Sequence, residues 1–187
     1  MVDLQVFMLA ALIASDRTAK NLQCAYGESI FCTYVKYGYK LNKEAVDLMR
    51  SSESSFREEK ERVLRTNQAI MKVLREEDKE KLLELLRIAL ELETSALFHL
   101  RVRCTGSKSG KAVCIKGIED LYQATYSLVL AIMRIAEGEP LEAIRKADEK
   151  FREEYRNQSN LFNESALAYD LGRETLRTLE TIETKLE

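Results

Sequence analysis

Leucine, isoleucine and alanine crowd residues 82–100, and their spacing constrains the fold more than any other feature of the chain. At about 100° per residue, Leu82, Leu85, Leu86, Ala89, Leu90, Ala96, Leu97 and Leu100 fall on one wide face. A face that broad predicts a helix enclosed by several neighbours rather than one lying on a surface. Glu93 stands near the middle of it. An ionised carboxylate taken out of water needs compensation, so the pattern also predicts a partner for Glu93: an arginine or lysine, or a tyrosine such as Tyr122 or Tyr126.

The rest of the chain has little material for anything but helices. Its 187 residues include one proline and seven glycines, too few for the many turns of a β-protein. With 45% hydrophobic residues, it is long enough to bury a core. The expected fold is all-α: a single domain, an antiparallel bundle of five or six helices. Glu, Lys and Arg dominate the polar residues while Asn, Gln and His are scarce, a bias shared with heat-adapted proteins and with helical proteins generally.

Periodicity and capping signals predict helices at about 3–37, 42–76, 79–104, 111–137, 140–158 and 163–184. In the first, Leu4, Phe7, Met8, Ala11, Leu12 and Ala19 share a face with Ser15 and Thr18, small enough to permit close helix approach. Residues 6–14 are apolar all round, which predicts a central position or a subunit interface. Gly38 reads as the residue just past the end of this helix. Asn42 reads as the N-cap of the next, with Leu41 and Val46 as a hydrophobic staple. Ser55 and Glu58 form a capping box that allows a break in that second helix at residues 51–55. Asp78 caps the third helix. Gly138 and Pro140 mark the turn before the fifth. Past Asn157 the apolar phase shifts, so a break is expected at 157–163.

The net charge of −2 and pI of about 5.7 exclude bulk nucleic-acid binding. Locally the sign reverses: residues 94–118 hold no acid but carry Arg101, Arg103, Lys108, Lys111 and Lys116. This loop runs into a helix N-terminus, where free N–H groups favour anions, so phosphate or a nucleic-acid backbone is a candidate ligand. Its glycine spacing is one short of a Walker A loop, and Ala112 follows Lys111 in place of Ser or Thr.

Three carboxylates lie on apolar faces: Glu59, Glu93 and Asp148. Converging on one cavity, they could hold a metal ion for hydrolysis. His99, the single histidine, has no glutamate three residues before it, so the Glu-x-x-His pairing of di-iron bundles is missing. No cofactor is implied.

Four cysteines without a Cys-x-x-Cys pair predict free thiols in a reducing compartment. The alternative is a Cys104–Cys114 disulfide across the mouth of a helical hairpin. Cys24 and Cys32, on one unbroken helix, would be too far apart to bridge. The opening residues, Met1 to Gln5, show neither a basic leader nor a small-residue cleavage pattern, so no secretory signal is expected. The longest apolar run, residues 6–14, is well short of the roughly 20 residues that span a bilayer. The expectation is a cytoplasmic protein with no membrane contact. Because no catalytic set is complete, the leading functional expectation is a non-catalytic interaction module that self-associates through its first helix. Anion binding and metal-dependent hydrolysis stand as alternatives.

Overall fold

The computed structural model describes residues 4–21, 30–54, 75–105 and 111–186. Among them are six helices and no strand: α1 (Leu4–Asn21), α2 (Ile30–Ser54), α3 (Glu76–Thr105), α4 (Lys111–Ile135), α5 (Gly138–Arg156) and α6 (Leu161–Leu186). The fold is an all-α helical bundle, as periodicity requires.

The helices pair in a definite order. α1 packs on α2 and α4, and α3 packs on the same two, so α1 to α4 close into a four-helix ring with α1 and α3 on its diagonal. α6 lies along the seam between α3 and α4, and α5 packs on α6 with only slight contact to α4. α3 is therefore enclosed by α2, α4 and α6, and it reaches α1 across the ring. Leu82, Leu86, Ala89, Leu90, Ala96, Leu97 and Leu100 are all buried in the core. Each such leucine taken out of water contributes about 1.5–3 kcal/mol, which makes this segment the main support of the ring.

The first two predicted helices need correction. Residues 3–37 are not one helix: α1 closes at Asn21 and a new helix opens at Ile30. Gly38 is not a helix terminator either. It lies inside α2 and is buried, and among the described residues the left-handed backbone occurs only at Gly138 (φ +68°). Asn42 is no N-cap. It is buried in mid-helix, and its Nδ2 donates to the Met8 carbonyl of α1 at 3.1 Å. α2 stays helical through Ser54, so the expected break at 51–55 does not fall on residues 51–54, and Ser55 and the rest of its capping box lie outside the described residues.

Later elements follow local signals closely. α3 opens at Glu76, three residues before the expected start, so Asp78 lies in its first turn and is not its cap; the three acids there, Glu76, Glu77 and Asp78, are favourable at the positive end of a helix. Asp78 accepts from Arg75 Nε at 3.1 Å and Glu76 from Lys79 at 3.0 Å. Gly138 turns the chain into α5 with Pro140 in its first turn, where the missing N–H costs nothing. The chain breaks again at residues 157–160. There Asn160 Oδ1 accepts from the Phe162 amide at 2.8 Å, the side-chain cap that starts α6.

Candidate functional site: a buried carboxyl inside the helical ring

Glu93 lies on the inward face of α3 with 1% of its surface exposed. Ser15 of α1 donates its hydroxyl to Glu93 Oε1 at 2.5 Å. From the α2 side Gly38 closes on the same group: a Cβ built there would stand 2.9 Å from Oε1. The second oxygen, Oε2, is buried with no hydrogen-bond partner among the described residues. The carboxyl thus sits at the junction of three helices, where a serine hydroxyl and a glycine close on it.

This corrects the expected partner. Among the described residues, Glu93 pairs with no arginine, lysine or tyrosine. Tyr126 donates instead to Asp148 Oδ1 at 3.1 Å, and the Tyr122 hydroxyl lies 3.4 Å from that of Tyr155. The physical reason is protonation. Burial pushes the Glu93 carboxyl up to about 8, with the Ser15 hydrogen bond pulling the other way. At neutral pH the group is an uncharged acid, and an uncharged acid does not require a counter-charge.

Glu93 and Asp148, two of the three candidate carboxylates, are not brought together. Glu93 faces α1 and α2. Asp148, buried on α5, is held by Tyr126 of α4 and by Arg152 Nε at 3.3 Å. Glu59 lies outside the described residues. No group of three or more His, Cys, Asp or Glu side chains among the described residues is placed to hold a metal ion. His99 stacks on Tyr34 with ring centroids 5.5 Å apart, its ring plane within 20° of the tyrosine's.

The basic segment is also divided. Arg101 turns onto α6, its guanidinium 4.4 Å from the Phe162 ring centroid. Burial lowers its pKa, while Asp170 and Tyr169 act in the opposite direction. Arg103 and Lys116 are exposed. Lys108 and the Lys111 side chain lie outside the described residues.

Cys104 and Cys114 are joined by a disulfide, with their Cα atoms 5.8 Å apart. Cys32 is disulfide-bonded as well, and among the described residues no cysteine is free. The expectation of free thiols is therefore overturned. Antiparallel packing of α3 on α4 brings Cys104 and Cys114 within bridging distance. The argument against a Cys24–Cys32 bridge assumed one helix through both positions, and α1 ends before either. No described helix is long and apolar enough to cross a membrane.

Sequence reasoning placed Glu93 on the core face but missed the two residues that define its surroundings. Ser15 was visible as a small polar residue on the inward face of the first helix. Gly38 carried a signal for the wrong thing, because glycine marks helix ends and close approaches alike. The chain matches no protein-family model, no curated protein and no solved structure.

Proposed function

We propose that this protein is a non-catalytic helical assembly module in which two copies pair through the outer face of α1. The observation that supports this reading is a stripe on that face. Val6 and Ile13, seven residues apart, are 51% and 53% exposed, and the exposed Ala10 lies between them. The opposite face of α1 is occupied by α2 and α4. The stripe is self-complementary. In an antiparallel pair about a two-fold axis near Ala10, Val6 of one copy meets Ile13 of the other, and alanine at the crossing lets the backbones approach.

Magnitudes set the strength of such a pair. Four half-exposed aliphatic side chains contribute roughly 1 kcal/mol each when fully covered. That is no more than the cost of lost translational and rotational freedom. The stripe is therefore a seam within a wider contact, and association depends on concentration. Sedimentation velocity over a concentration series tests the reading. Growth of a dimer with concentration, and its loss in the double variant Val6→Lys, Ile13→Lys, are expected. A monodisperse monomer at the highest concentration reached would overturn it.

A further inference from the structure

We infer that the proton on the Glu93 carboxyl is a latch between α1 and α3: protonated, the group closes the junction of α1, α2 and α3, and ionised, it forces that junction apart. The inference stands whether or not copies pair through α1.

The geometry carries it. Glu93 is 1% exposed, its one donor is a serine hydroxyl, and its Oε2 has no partner among the described residues. Gly38 presses on the carboxyl from α2 so closely that not even a methyl group fits between them. A negative charge there would have one neutral donor among the described residues, almost no access to solvent and no room to turn, the situation in which buried carboxylates are least tolerated. Separating α1 from α3 exposes the carboxyl to water, because among the described residues Ser15 is the hydrogen bond by which α1 holds it.

Among the described residues, no neighbouring charge offers relief. On α1, Asp16 and Lys20 pair with each other at 2.7 Å and Arg17 is exposed. On α2, Lys36, Tyr37 and Lys40 are exposed, Tyr39 is half-buried, and Tyr34 is stacked on His99. On α3 itself, Arg87 is engaged with Glu84 and Glu91. On α4, Arg134 lies over the Phe7 ring, Tyr126 serves Asp148, Tyr122 faces Tyr155, and Asp120 has contacts of its own. On α6, Asp170 acts on Arg101. Among the described residues, burial raises the Glu93 pKa and the Ser15 hydrogen bond opposes it.

The linkage has a definite sign. Between the ordinary value of 4.5 and about 8 the closed junction keeps a proton that the open one releases. Opening therefore becomes easier by about tenfold per pH unit across that window and levels off above it. Hydrogen exchange of the α1 amides around Ser15, corrected for the intrinsic rate, reads this directly. The rise is expected in α1 and in α2 around Gly38, with α5 and α6 staying protected, and it is expected to vanish in Glu93→Gln. If that variant does not fold, a carbon-13 titration of the Glu93 carboxyl in the unaltered protein decides the matter. A midpoint near 4.5 would overturn the inference. So would an unchanged pH profile in Glu93→Gln, or a loss of protection spread evenly over all six helices.

Discussion

Thr94 of α3 lies directly against Gly172 of α6, so that a Cβ on Gly172 would stand 2.5 Å from Thr94 Cγ2 and 3.1 Å from Thr125 Cγ2. One residue earlier, Glu93 meets Gly38 on the other side of the same helix. Consecutive residues of α3 thus each rely on a glycine of a different neighbour. Neither threonine can yield cheaply. Both are buried, and each already donates its hydroxyl to a carbonyl of the preceding turn, Thr94 to Leu90 and Thr125 to Leu121, both at 2.9 Å. Gly172→Ala gains about 0.5–1 kcal/mol of helix propensity but overpacks the crossing by about 1–3 kcal/mol. A net loss of about 1–2 kcal/mol is expected, read as a lower urea midpoint with an unchanged slope.

Gly38→Ala sets the same propensity gain against a clash with a carboxyl oxygen. Glu93 is flexible in principle, but here it is buried and tied to Ser15. The variant should lose about 1–2 kcal/mol through overpacking. The sign should reverse once the carboxyl is gone. In a Glu93→Ala background, Gly38→Ala fills space and is expected to be neutral or stabilising. A double-mutant cycle measures that coupling; additive effects would show that Gly38 does not owe its identity to Glu93.

These two glycines also mark where sequence reasoning works and where it stops. The inward face of α3, the Gly138–Pro140 turn and the break before Leu161 were legible because each depends on neighbours in sequence: a 3.6-residue period, a glycine followed by a proline, a shift in apolar phase. Gly38 and Asn42 were misread for the opposite reason. Each has a strong local meaning, as terminator and as N-cap, yet in the fold each answers to a residue far along the chain. Gly38 makes room for Glu93, and Asn42 reaches the Met8 carbonyl. Reading Gly38 and Asn42 that way divided α2 at residues 38–41 and left its first turns joined to α1.

The candidate site was half legible. An acid on an apolar face announced Glu93, but a sequence carries no record of which buried group will be protonated. Counter-charge was the natural expectation, and neutralisation met the same cost by another route. Asp148, with the same signal, took the expected route through Arg152 and Tyr126.

The Tyr126–Asp148 pair gives an alkaline signature. Burial, and after it the charge and hydrogen bond of Asp148, push Tyr126 up to about 12. The folded state then keeps a proton that the unfolded chain loses near 10. The pair's contribution is whole below about pH 10 and is lost as the pH rises through about 12. Removing the hydroxyl in Tyr126→Phe should reduce stability by about 1 kcal/mol at neutral pH. The gap between the two proteins should narrow across that alkaline window. Tyrosinate absorbance should show one late-titrating group fewer in the variant; identical titrations would contradict the assignment.

The Cys104–Cys114 bridge closes a short loop, with a sequence separation of 10. The chain-entropy estimate for a loop of that length is about 2–3 kcal/mol. Its effect should be confined to the α3–α4 hairpin, because the bridge ties only those two helices. The Cys104→Ser, Cys114→Ser variant is expected to lose that amount in urea denaturation and to show lower hydrogen-exchange protection in the last turn of α3 and the first of α4. Protection at Leu90 and Leu128, buried in the core, should fall only by the global loss. If the variant were as stable as the parent protein, the hairpin would be held by packing of α3 on α4 alone, and the bridge would be incidental to the fold.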